Sequence, residues 1–200
     1  MLSGESLTEG ERKVALKADT DSIELGWLSR ARRLPSPNFD QRPPKTDIDL
    51  LVIHNISLPP GDFGNGHIEQ FFCNQLDCNL HPYFQALVGV RVSAHCLIDR
   101  SGAIVQFVSF NDRAWHAGES CFEGRQRCND FSIGIELEGT DDSDYTPAQY
   151  VALVAATQAI MRDYPLITRQ RIVGHSDIAP HRKTDPGPAF SWQHYLRQLA

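Results

Sequence analysis

Asp49-Leu-Leu-Val-Ile-His54 is a continuous run of β-prone apolar residues closed by a histidine. A strand with one face in water alternates apolar and polar side chains. This run does not alternate, so it reads as a strand buried on both faces, inside a sheet covered by other layers. In sheets of that kind ligands collect beyond the carboxyl ends of the strands. His54 stands at that end, just before Asn55-Ile-Ser-Leu-Pro-Pro60. A histidine there serves equally well as a structural residue bonded to a backbone carbonyl, and position alone does not choose between the two.

Moving outward, Ser93-Ala-His-Cys-Leu-Ile-Asp99 and Ala103-Ile-Val-Gln-Phe-Val108 read as two strands joined at Arg100-Ser-Gly102, a hairpin signal. Phe131-Ser-Ile-Gly-Ile-Glu-Leu-Glu138 alternates: Phe131, Ile133, Ile135 and Leu137 share one face, and Ser132, Gly134, Glu136 and Glu138 the other. The second set cannot be apolar core. Gly134 leaves space beside Glu136, as a strand glycine does where a ligand comes close, although an edge strand facing solvent would have the same composition. Thr146-Pro-Ala-Gln149 has the cap, first-turn proline and capping-box glutamine of a helix start. Tyr150, Leu153, Val154, Thr157, Ile160, Met161 and Tyr164 then form one helical stripe, ended by Pro165. Ile68, Phe71 and Phe72 predict a short amphipathic helix, and Arg171–His175 a short strand. Ser191 caps a last helix with Trp192, Tyr195, Leu196 and Leu199 inward. Residues 74–92 lack a period and form a long irregular excursion, of the sort that shapes a groove. These elements predict an α/β fold: a single domain with a central mixed β-sheet flanked by helices.

The chain of 200 residues suits one domain, and its 41% hydrophobic and 22% charged content is that of a soluble globular protein. A net charge of −6 argues against nucleic-acid binding through phosphate neutralisation. No apolar run reaches the roughly 18 residues that would span a membrane, and the amino-terminal residues do not read as a secretory signal. Cys73, Cys78, Cys96, Cys121 and Cys128 are odd in number and include no C-x-x-C pair, which points to reduced thiols and a cytoplasmic location. Residues 1–23 are polar and mixed in charge and are expected to be a flexible extension. The prolines of 34–44 force extended chain, so residues 24–46 should wrap the domain that fills 24–200.

A second histidine stands in Ile172-Val-Gly-His-Ser-Asp-Ile-Ala-Pro-His-Arg-Lys-Thr-Asp-Pro-Gly-Pro188, a proline-braced loop that also carries Lys183 and Asp185. Two imidazoles and a carboxylate suit zinc, and three protein ligands leave a fourth position open, the mark of a catalytic site. The spacing is not H-E-x-x-H, and His54, His175 and Asp185 are one choice among eight histidines. Glu136 could take a proton from an attacking water, and Lys183 could stabilise the oxyanion of an attacked carbonyl. Together the parts describe metal-assisted hydrolysis of an amide or ester. No G-x-S-x-G elbow and no phosphate-binding glycine loop occurs, and Cys96 and Cys128 read as easily as buried thiols.

At these residues the sequence resembles the zinc-dependent N-acetylmuramoyl-L-alanine amidases, which share their fold with peptidoglycan recognition proteins, and within them the branch that acts on 1,6-anhydro-muropeptides. The resemblance runs over about residues 24–197. It includes Val52-Ile-His-Asn-Ile-Ser-Leu-Pro-Pro60, Arg91-Val-Ser-Ala-His-Cys-Leu-Ile98, Arg113-Ala-Trp-His-Ala-Gly118, Arg127-Cys-Asn-Asp-Phe-Ser-Ile-Gly-Ile-Glu-Leu-Glu-Gly-Thr140 and Arg182-Lys-Thr-Asp-Pro-Gly-Pro-Ala-Phe190. It implies that His54, His175 and Asp185 bind Zn2+ and that Glu136 and Lys183 are the catalytic pair. It further implies that Asn55 and Trp115 contact the anhydromuramyl sugar and that Arg91 and Arg127 meet stem-peptide carboxylates. The implied substrate is a small soluble anhydro-N-acetylmuramyl peptide, cut between lactyl group and L-alanine in cytoplasmic peptidoglycan recycling. No nucleic acid, membrane or obligate protein partner is expected. The extension before residue 24 departs from the family pattern, and Ser176 stands where some relatives have cysteine. Two rival readings are a non-catalytic muropeptide sensor on the same fold and an exported amidase acting on intact cell wall. A sensor would be expected to lack a ligand or the base, and here all are present.

Overall fold

A computed structural model describes residues 21–199 of the chain. The expected amino-terminal extension lies almost wholly outside those residues. In chain order the strands are β1 (Ile23–Glu24), β2 (Trp27–Leu28), β3 (Arg32–Arg33), β4 (Phe39–Asp40), β5 (Leu50–Ile56), β6 (Cys96–Ile98), β7 (Ile104–Gln106), β8 (Arg113–Ala114), β9 (Cys121–Phe122), β10 (Arg125–Gln126), β11 (Ser132–Glu138) and β12 (Ile172–Gly174). The α-helices are α1 (His67–Phe72), α2 (Pro147–Asp163), α3 (His175–Ile178) and α4 (Trp192–Arg197).

Six strands form the main sheet in the order β12-β5-β11-β6-β7-β3. The β6–β7 hairpin is antiparallel and every other pairing in that sheet is parallel, so the sheet is mixed, as the sequence predicts. The apolar run of β5 is an interior strand between β12 and β11, with Leu50, Leu51, Val52 and Ile53 fully buried. One face of the sheet (Leu51, Ile53, Ile133, Ile135 and Leu137) packs with Leu153 and Ile160 of α2 and Tyr195 of α4 in one cluster. Burying each such aliphatic side chain contributes about 1.5–3 kcal/mol before entropy is set against it. The opposite face, through Leu50 and Val52, packs on Ala117, Cys128, Phe131 and Ile178, which come from irregular segments and the single turn α3.

Helix α2 begins where the sequence places it. Thr146 Oγ1 accepts from the Gln149 amide at 3.1 Å, and the Gln149 side chain accepts from the Thr146 amide at 3.1 Å. Its buried side is wider than the seven-residue stripe, because Gln149, Ala152, Ala156 and Ala159 are buried too, while Met161 and Tyr164 are only half-buried.

Four expectations change. Phe131 precedes β11 and packs with Leu50 and Val52, on the opposite face from Ile133, Ile135 and Leu137. Residues 24–46 do more than wrap the domain: Leu28 is in the core and β3 pairs with β7 as the sheet's outer strand. His175 opens the helical turn α3 rather than entering a wholly irregular loop, with the Asp177 carboxylate accepting from the Gly174 amide at 2.7 Å. All of β11 is buried, including its polar face. Glu136 opens to a groove, but the Ser132–Gly134 part of that face meets neither solvent nor apolar core. It lies under His95, His116 and Arg42, whose guanidinium donates to the carbonyls of Phe110, Asn129, Asp130 and Ser132.

Candidate active site

Strand register assembles the site. Glu136 of β11 is the direct partner of His54 of β5, so both project from the same face at the carboxyl end of the sheet. Gly174 of β12 pairs with Ile53, which brings His175, the next residue, level with His54. The chain then returns through Lys183 to Asp185, whose carbonyl accepts from the Ser176 amide at 3.0 Å. The Pro186 carbonyl accepts from Tyr145 Oη at 2.8 Å and from Asn55 Nδ2 at 3.1 Å, pinning the residue after Asp185.

His54, His175 and Asp185 converge and are all buried. His54 Nδ1 is 2.9 Å from His175 Nδ1, and Asp185 Oδ2 is 3.1 Å from each. Two ring nitrogens and a carboxylate oxygen facing one another this closely concentrate lone pairs that a cation would satisfy. The edges lie close to the roughly 3.4 Å of a tetrahedron with ~2.0–2.2 Å bonds. Burial pushes the His54 imidazole down to about 4, so it is neutral near pH 7, the form that ligates metals. Burial alone would raise the Asp185 carboxyl, but contacts with His175 and His54 outweigh it and hold the group well below the usual range. The donor set therefore fits a metal ion, and among the described residues it is the one such group.

His175 and Asp185 line a groove of about 680 Å³ together with Glu136 and Lys183, while His54 is buried against them. Burial, reinforced by Asp185 and opposed by Lys183, pushes the Glu136 carboxyl well above its ordinary value, and Oε2 has no hydrogen-bond partner. Asn55 and Trp115 line the same groove. Trp115 Nε1 is buried and unpartnered, whereas the Asn55 amide already donates to Asp141 and Pro186. Arg91 and Arg127 are outside the groove. Arg91 lines a recess that shares Phe71, Leu87 and Val90 with it, and Arg127 lines another that shares Arg182. The irregular 74–92 excursion supplies Tyr83, Leu87, Val90 and Val92 to the groove wall, which is the placement its lack of period suggests.

Sequence reasoning passed over His116. Its ring fills the space above Gly134, where a Cβ would approach Nδ1 to 2.4 Å. Gly134 thus makes room for a side chain of the protein itself, not for a ligand. The signal was present in a strand glycine and a nearby Trp-His pair, but their contact is set by tertiary structure.

A buried metal-competent His/His/Asp triad at the end of a mixed sheet, with a carboxylate and a lysine in the groove beside it, defines a class of hydrolase. The profile of the N-acetylmuramoyl-L-alanine amidase family matches residues 44–188, and the chain belongs to that family. It is 58% identical over 177 residues to the 1,6-anhydro-N-acetylmuramyl-L-alanine amidase AmpD of Haemophilus influenzae, covering 88% of this chain and 96% of the relative. A crystal structure of a selenomethionine AmpD derivative superposes with a TM-score of 0.87 at 55% identity, covering 89% of this chain and 99% of that one. The Escherichia coli amidase AmiD, solved in complex with anhydro-N-acetylmuramic acid-L-Ala-D-γ-Glu-L-Lys, superposes with a TM-score of 0.56 at 31% identity, over 90% of this chain and 66% of that one. No helix among the described residues is long and apolar enough to cross a membrane.

Proposed function

We propose that this protein is a zinc-dependent amidase that cleaves 1,6-anhydro-N-acetylmuramyl peptides between the lactyl carbonyl and the nitrogen of L-alanine. One observation carries the reading: a chain similar along nearly its whole length to amidases named for that substrate lines one groove with His175, Asp185, Glu136 and Lys183, and buries His54 against His175 and Asp185. His54, His175 and Asp185 hold the zinc. When bound, zinc supplies Lewis acidity, polarising the carbonyl and acidifying water.

The chain's own residues do the rest. Glu136 Oε2, without a partner in the groove, takes the proton from the attacking water. The same carboxyl then delivers the proton to the leaving nitrogen. Lys183 Nζ donates to the oxygen of the attacked carbonyl as charge develops there. Trp115 and Asn55, on the groove wall, meet the sugar. Arg91 and Arg127, in the adjoining recesses, meet carboxylates of the stem peptide. Residues 24–200 are the catalytic domain and 1–23 an extension of it. The setting is cytoplasmic recycling of small muropeptides rather than trimming of intact wall. Relative turnover decides that point: release of peptide from anhydromuramyl-tripeptide should far exceed release from intact sacculi, and a preference for sacculi would contradict it. Binding of the tripeptide without product would instead mark a sensor.

A further inference from the structure

The loop Trp115-His-Ala117 touches both histidines of the triad on the side away from the triad's centre. His116 Nδ1 is 2.9 Å from His54 Nε2, and the Ala117 carbonyl is 3.0 Å from His175 Nε2. The Ala117 carbonyl can only accept, so His175 carries its ring proton on Nε2; with the Nδ1 lone pair of each imidazole offered to the ion, His54 likewise donates from Nε2 to His116. His116 then accepts at Nδ1 and carries its proton on Nε2, which lies 3.0 Å from Ser132 Oγ. The loop is itself held. Asn129 Oδ1 accepts from the amides of His116 at 3.1 Å and Ala117 at 2.7 Å, and Arg182 donates to the Ala117 carbonyl at 2.6 Å.

From this geometry we infer that His116, braced by Ser132, is a positioning residue that fixes the tautomer and orientation of His54, while the neighbouring Ala117 carbonyl does the same for His175. One tripeptide thereby orders both imidazole donors before an ion arrives. Groups that hold the far nitrogen of a metal-binding histidine typically change metal affinity by about 10–100-fold. The inference rests on the zinc reading proposed above, and the test separates the two.

Zinc dissociation constants are measured by chelator competition for the wild type and three variants, with far-UV circular dichroism confirming the fold. His116→Leu keeps bulk but offers no acceptor, and should weaken zinc about 10–100-fold. His116→Asn places an amide oxygen near the position of Nδ1 and should recover most of that loss. Ser132→Ala leaves His116 without its brace and should weaken zinc by about threefold or more, a smaller effect of the same kind; it decides the matter alone if His116→Leu does not fold. Wild-type affinity in Ser132→Ala and in folded His116→Leu, or an equal loss in the Asn and Leu variants, overturns the inference. Failure of the wild type to bind zinc would overturn the zinc reading instead.

Discussion

At the scale of single residues, each proposed role has a separable consequence. Glu136→Ala should keep zinc and lose turnover by about 100-fold or more, because only the proton transfer is removed. Full activity in that variant would contradict the assignment. Asp185→Ala should instead weaken zinc retention in equilibrium dialysis, since one of three donors is lost. His95 tests the buried layer away from the triad. It is fully buried, its Nδ1 accepts from the Gly134 amide at 3.0 Å, and burial, with the Arg42 charge next, pushes it down to about 3 from 6.5. The unfolded chain therefore takes up this proton first as pH falls. This residue's contribution to stability should be flat above about pH 6.5 and fall between there and about pH 3 by on the order of 1 kcal/mol per unit. In urea unfolding of the metal-free protein at pH 7 and pH 5, His95→Asn should lose less stability than the wild type. An equal loss in both would contradict the sign or the residue. The triad was a candidate because His54 and His175 follow apolar runs and Asp185 lies in a braced loop, but the choice among eight histidines came from the family resemblance. His116 was not a candidate, because its partners are 62 and 16 positions away and nothing local announces them.

At the scale of elements, β11 carries the most information. Its alternation is visible in the sequence, but what covers each face is not. Ser132, Gly134, Glu136 and Glu138 could face water, a ligand or a buried polar layer with the same period; Ser132 and Gly134 lie in a buried polar layer, while Glu136 lines the groove. Gly134→Ala tests that layer directly. The added methyl meets the His116 ring, with no backbone strain of the left-handed kind to confuse the result. Chemical denaturation should show a loss of about 1–3 kcal/mol, together with weakened zinc binding. A neutral substitution would mean that the ring moves aside freely. Helix α2 was legible almost to the residue, since its capping box, first-turn proline and terminating Pro165 all act locally. Thr146→Ala should cost about 1 kcal/mol in the same assay with zinc affinity unchanged.

At the scale of the molecule, the sheet's two faces divide the work. Helices α2 and α4 cover one with apolar side chains, while loops cover the other and leave the groove at its carboxyl edge. The interior strand β5 announced this arrangement, because only a sheet covered on both sides tolerates so unbroken an apolar run. The role of residues 24–46 as core and outer strand was hidden: prolines mark extended chain, but the pairing of β3 with β7 spans more than 70 positions. The most direct test of the whole account is release of free tripeptide from 1,6-anhydro-N-acetylmuramyl-L-Ala-D-γ-Glu-L-Lys, followed by mass spectrometry before metal removal, after it and after zinc is restored. The account predicts release of intact tripeptide and free anhydro sugar, loss of that release without metal, and its return with zinc. Release that persists undiminished after metal removal, or no release from the zinc-loaded protein, would contradict it.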